Sequence, residues 1–208
     1  MIKTTYLAAA LVAASLGSSH AATVTNGSFE TNGGVPCCNG FATLGTGDMS
    51  ITGWTVASGS VDLISTYWAA QDGNYSLDMD GNAVGSIVGS ITGLVIGSAY
   101  KLSFWLSANI DGAPVLKTLD AMVGATSGSY LYDSTGLGNA GLGWKEFTLL
   151  FTAAATTEVL TFGSTTGGQY FGAALDNVSV AAVPLPAGAP LLLAALAGLG
   201  LLRRRRNA

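Results

Sequence analysis

Carboxylates are the reactive groups this chain offers in quantity, and Asp78 and Asp80 are spaced to act together. In Ser76-Leu77-Asp78-Met79-Asp80 apolar and polar residues alternate, so on a strand both acids project from one face. Asp62 and Asp72 are the acids expected near them. Two carboxylates about 5–5.5 Å or 6.5–9.5 Å apart are what glycoside hydrolysis requires. An acidic β-rich chain also places such pairs by composition alone, so a solvated strand face or a turn is the competing account. Histidine chemistry is excluded. The single histidine, His20, lies at the end of a removable leader, so the mature chain has no Ser-His-Asp triad, no Cys-His pair and no His-ligated zinc. Cys37 and Cys38 are the only cysteines and are adjacent. Neighbouring Cα atoms lie about 3.8 Å apart, below the usual disulfide span of about 4.4–6.8 Å, so a bridge between them is strained. Intermolecular pairing is equally open, and the favoured account is a loop cap without a catalytic task. No catalytic residue is assigned, and the domain is expected not to be an enzyme. A carboxylate-based glycan hydrolase is kept as the second alternative.

Aromatic side chains are the other recognition groups. Trp54, Trp68, Trp105 and Trp144 are many for one small domain, and core packing is the common fate of such rings. In the alternating stretch Phe104-Trp105-Leu106 one of the two rings must face outward or into a groove. Tyr67-Trp68 and Tyr170-Phe171 sit in glycine-rich surroundings. If a glycan site exists, Tyr67, Trp68 and Tyr170 are its expected ligand-binding residues.

The elements that must position these groups are strands. Between residues 22 and 182 short stretches alternate apolar and polar residues, separated by Gly, Asn and Asp, and no stretch keeps a 3.6-residue period. Strands are expected at 61–64, 76–80, 86–91, 100–106, 144–152, 158–162 and 175–180. Residues 50–56 read as strand, bulge and strand, and 119–132 as a hairpin closed through Gly124 to Gly128. Eight or more such strands make an all-β fold, an antiparallel β-sandwich of jelly-roll type. The twelve acids all lie in this domain, whose only cations are Lys101, Lys117 and Lys145, so its formal charge is 3 − 12 = −9. That balance argues against nucleic acid as a partner.

Both termini carry addresses. Lys3, the apolar run Tyr6–Leu16 and Ser19-His20-Ala21 form a secretory signal peptide over residues 1–21. After a linker, Ala181–Ala189, the chain ends in an apolar run and Arg203-Arg204-Arg205-Arg206. A helix over 188–202 is expected to cross the membrane marginally, since the run from Ala187 to Leu202 spans about 24 Å against a hydrocarbon core of about 30 Å. The basic tail, 203–206, holds the end on the cytoplasmic side.

The motif Val183-Pro184-Leu185-Pro186-Ala187, followed by helix and arginines, resembles the VPLPA form of the PEP-CTERM sorting signals of Gram-negative bacteria. That resemblance implies an exosortase-type processing enzyme as partner, transient membrane anchorage over 183–208, and delivery to the cell surface or the extracellular space. Ile51-Thr52-Gly53-Trp54, Ser60–Ile64, Tyr67-Trp68, Asp72-Gly73, Ser76–Gly81 and Leu175-Asp176-Asn177-Val178 resemble the bacterial choice-of-anchor C domains, which share one exported sandwich, and the sandwich domains of plant cell-wall proteins. Asn26-Gly27-Ser28-Phe29-Glu30 at the start and Leu175–Val180 at the end are similar to the terminal strands of galactose-binding-like sandwiches, among them many carbohydrate-binding modules. In those folds the first and last strands run close together, and the two matching acids ligate a structural calcium. The resemblance therefore implies Glu30 and Asp176 as metal ligands and Ca2+ as a structural cofactor. The function expected is an exported, non-catalytic surface protein linked to extracellular matrix, exopolysaccharide or biofilm, with a carbohydrate-binding module as the first alternative and polysaccharide as partner.

Overall fold

The structure is a computed structural model that describes residues 21–34, 40–137 and 142–184. Twelve strands form: β1 (Thr23–Val24), β2 (Phe41–Gly45), β3 (Thr55–Ser58), β4 (Ser60–Ile64), β5 (Ser76–Asp78), β6 (Ser86–Thr92), β7 (Ala99–Ala108), β8 (Leu116–Val123), β9 (Thr126–Asp133), β10 (Lys145–Thr152), β11 (Thr157–Ser164) and β12 (Ala173–Ala182). The described residues contain no helix. One sheet runs β1-β6-β11-β8-β9, with β3 also on β6, and the other β10-β7-β12-β5-β4-β2. Every pairing is antiparallel. The all-β sandwich expected from the sequence is the fold observed. The signal peptide, the cysteine pair and the C-terminal helix lie outside the described residues, as do Leu185, Pro186 and Ala187 of the sorting motif.

The period-two pattern makes the core. Leu102, Phe104, Leu106 and Ala108 of β7 turn inward and meet Leu160 and Phe162 of β11 and Leu119 and Ala121 of β8, all buried. Phe104 stands edge-on to Phe162 at 5.1 Å and to Tyr130 at 4.9 Å, the geometry ring quadrupoles favour. Trp105, the next residue, is half-buried on the opposite face. Trp54 joins the core against Phe29 and Phe162, its indole N–H donating to the Asn26 carbonyl at 3.1 Å.

Three sequence expectations are corrected. Residues 51–54 form a turn, closed by the Trp54 amide on the Ile51 carbonyl at 3.0 Å, where strand and bulge were expected. A turn lets Ile51 and Trp54 both enter the core, which strand alternation forbids at that spacing. The hairpin between β8 and β9 turns on Gly124 and Ala125 alone, with Val123 opposite Thr126. Gly124 has a positive φ of 53°, and such a turn matches the twist of the strands, so residues 126–128 pair where a loop was expected. After the last expected strand, Ala181 and Ala182 belong to β12, opposite Lys101 and Tyr100. The Val183 amide continues the ladder to the Ala99 carbonyl at 2.9 Å, so the expected linker starts later.

Candidate functional site

The second sheet has a polar outer face. On β5 Leu77 points to the core, so Ser76 and Asp78 point away from it; by the same alternation Asp62 and Ile64 of β4, Thr43 of β2, Asp176 of β12 and Asn109 after β7 face outward. Much of this face is nonetheless covered. The segment between β4 and β5 folds back across it: Trp68 donates its indole N–H to Ser76 Oγ at 2.8 Å, and Trp144 donates to the Ala69 carbonyl at 3.2 Å.

Asp176 and Glu30 hold that segment down. Asp176 Oδ2 accepts the amides of Gln71 at 2.7 Å and Asp72 at 3.0 Å, and Oδ1 accepts that of Asn177 at 2.6 Å. Glu30 Oε1 accepts the amides of Asn74 and Tyr75, both at 2.8 Å, and Oε2 meets Asn74 Nδ2 at 3.4 Å. The first and last strands do run together here, with the Val178 amide on the Gly27 carbonyl at 2.9 Å. Burial pushes the Asp176 carboxyl up to about 6, and the three amides oppose that shift. Calcium takes six to eight oxygens. The donor type at this clamp fits, but amide N–H groups already occupy these carboxylates. Among the described residues no three His, Cys, Asp or Glu side chains gather around one point.

Where the covering segment stops, a cleft of about 210 Å3 opens. Asp62 and Asp78, Cα partners across β4 and β5, lie in it with Thr43, Asn82 and Asn109. Phe41 and Tyr67 line it from one region of the chain, Tyr170 and Phe171 from another. Tyr67 is 48% exposed and Tyr170 50%. Phe41 and Trp68 both pack edge-on against Tyr67 at 5.6 Å. Tyr67 and Tyr170 thus share the cleft, whereas Trp68 backs Tyr67 from behind.

Asn109 ties the parts together. Its Nδ2 donates to Asp78 Oδ2 at 2.8 Å and to the Tyr170 carbonyl at 2.9 Å, and its Oδ1 accepts the Asp111 amide at 3.0 Å. Asp111 in turn accepts the Tyr67 hydroxyl. Asp78 Oδ1 accepts the amides of Asp80 and Gly172, both at 3.0 Å. Gly172 is required by close approach: a Cβ there would lie 2.5 Å from Asp78 Oδ1. Tyr170 sits at φ 72°, a conformation that costs a non-glycine residue energy, and the surrounding bonds hold it there.

Asp78 and Asp80 are buried, not on a solvated face or turn as the competing account had it. Burial pushes Asp78 up to about 7, against the pull of the Asp80 amide and Asn109, and the nearby Asp62 and Asp80 charges add to the rise. Asp62 is raised too, chiefly by burial, with Thr43 Oγ1 donating to its Oδ1 at 2.6 Å. No donor reaches either Asp80 oxygen in hydrogen-bond geometry, and burial raises its pKa. The Ser164 hydroxyl, the Gly85 amide and the Lys117 charge lie near enough to favour its charged form. Lys117 is itself buried, its ammonium on the carbonyls of Gly112 and Phe171.

Fold and cleft define an antiparallel β-sandwich with an aromatic, acidic site on one outer face. The α-L-arabinofuranosidase MgGH51, solved with arabinose bound, shares the fold: 12% identity and a TM-score of 0.52 over 81% of this chain and 28% of that one. TmCBM61 in complex with β-1,4-galactotriose matches at 14% identity and a TM-score of 0.44, over 76% of this chain and 97% of that one. A CBM35 from Paenibacillus barcinonensis matches at 18% and 0.45, over 68% and 99%. Residues 22–181 match the family described as "Protein of unknown function (DUF642)", and the chain belongs to that family. It is also 32% identical over 171 residues to halomucin of Haloquadratum walsbyi, covering 80% of this chain but only 2% of that protein's length.

Proposed function

We propose that this domain binds carbohydrate, taking a sugar ring into the cleft on the outer face of the second sheet, and that it carries out no reaction on it. The observation that carries this is the pair of half-exposed rings, Tyr67 and Tyr170, lining one cleft with Asp62, Asp78, Asn82 and Asn109. Sugars present apolar faces that stack on aromatic rings and hydroxyl edges that need fixed acceptors and amides; the cleft offers both. Its volume of about 210 Å3 suits a single ring or a chain end. Titration calorimetry against a panel of soluble oligosaccharides tests this. At least one member should bind wild type, and Tyr67→Ala should weaken it about tenfold; binding untouched by that change would overturn the assignment.

Hydrolysis has one observation in its favour, an acid raised to about 7 facing Asp62. Both Asp78 oxygens are already held by Asn109, Asp80 and Gly172, which suits a fixed floor better than a proton donor. No reducing ends should appear when the panel is incubated with the protein; release abolished by Asp78→Asn would establish catalysis instead.

The chain is further proposed to be exported, cut after Ala21, and handed through Val183–Ala187 to an exosortase-type enzyme that delivers it to the cell surface, where it serves the extracellular matrix. Lys3, the apolar leader and the arginine-ended tail support this. Intact mass of the surface-released protein tests it: both ends should be shorter than the full chain. Calcium at Glu30 and Asp176 is a separate proposal, supported by two acids meeting on one loop.

A further inference from the structure

Selection by charge in this cleft rests on the carbohydrate-binding reading and extends it to the class of sugar. The floor holds the carboxylates of Asp62 and Asp78, and Asp111 stands behind Tyr67 at the rim. Among the described residues no cation lines the cleft with them, and Lys117 couples to Asp78 and Asp80 only from outside the lining. Among residues 22–182 there is no arginine and there are three lysines. Lys117 turns its ammonium onto the Gly112 and Phe171 carbonyls and does not line the cleft. Lys145 lies over the Tyr132 ring at 5.0 Å, and Lys101 pairs with Leu150 and Ala181 near the opposite end of β7 from Asn109.

The groups left for a ligand are suited to hydroxyls. Thr43 engages only Oδ1 of Asp62, and among the described residues Oδ2 has no hydrogen-bond partner; the Asn82 amide in the same lining has none either. A carboxylate accepts from a sugar hydroxyl and repels a ligand carboxylate or sulfate, and the repulsion is strong where protein displaces water. We infer that this cleft takes uncharged sugars and excludes uronate-bearing and sulfated ones.

The test is a comparison of matched neutral and acidic oligosaccharides of equal length, galactan with galacturonan and mannan with mannuronan, titrated at pH 8 and low salt. Asp78 is charged at that pH, which lies above the value of about 7 to which it is pushed. A neutral member should bind at least tenfold tighter than its acidic partner. Raising salt on wild type should narrow that ratio by strengthening acidic binding. Asp62→Asn, close in shape to the native side chain, should narrow it to about threefold or less. Acidic members binding as tightly as neutral ones would overturn the charge selection while leaving carbohydrate binding intact. A ratio insensitive to both salt and Asp62→Asn would overturn it too. Binding of no member would overturn the carbohydrate reading itself.

Discussion

Asp176 and Asp78 are both fully buried, both face outward from the same sheet, and burial pushes their carboxyls up to about 6 and about 7. Their surroundings separate them. Asp176 meets only backbone amides, and those amides belong to the loop that closes over it and to its own neighbour Asn177. Asp78 is shared between two amides and the Asn109 side chain, and beside it Asp62 and two tyrosines open onto a cleft. Burial and a raised pKa are therefore no mark of a binding site by themselves. A carboxylate whose partners close the chain over it builds structure. One with neighbours left unengaged is where a ligand can enter.

The comparison breaks if the two acids behave alike on mutation. Asp176→Ala strands three amides, two of them in the covering loop, and should cost about 3 kcal/mol in urea unfolding, because an unmatched buried donor loses its full solvation. Next comes pH. A carboxyl raised on folding stabilises the fold fully below its unfolded value near 3.8, and that stabilisation is lost as pH rises through the folded value. For Asp78 and Asp176 the loss falls between about pH 4 and about pH 7, so the domain should melt several degrees higher at pH 5 than at pH 8. Asp78→Asn should remove the larger share of that slope; an unchanged slope would mean Asp78 is not the proton holder.

Smaller effects sharpen the contrast. Tyr170→Ala should reduce sugar affinity about tenfold, some 1.4 kcal/mol, while Tyr67→Phe, losing only the bond to Asp111, should cost about threefold. Neither should move the urea midpoint as Asp176→Ala does. Smallest is calcium. If the clamp takes it, chelator should lower the melting temperature of wild type by a few degrees and that of Glu30→Ala much less. Equal melting with and without chelator would remove calcium and leave the amides as the clamp's partners.

The sandwich was legible because pleated strands advertise themselves every second residue. Tyr100–Leu106 shows this: Leu102, Phe104 and Leu106 point inward and Trp105 outward, as the alternation required. β1 and β2 were not read from the sequence, although β4 and β5, of three to five residues, were; β1 is two residues long, too short to show any alternation. At the cleft, Tyr67 and Tyr170 were legible as aromatics in glycine-rich stretches. Phe171 was noted beside Tyr170 but not assigned to the site, and Phe41, Asn82 and Asn109 were not read as site residues. Asn109 reaches Asp78, 31 positions away, and Tyr170, 61 away, and no local signal encodes such distances.

Composition and local alternation alone settled that residues 22–182 hold no histidine, that they carry −9, and that they are built of sheet. Those properties depend on which residues are present and on neighbours two apart. Which acids are sealed under a loop and which face a cleft depends on how the 65–75 and 170–172 segments fold back across the second sheet. That was decided only in three dimensions, because a carboxylate takes its role from the partners that long-range pairing brings to it.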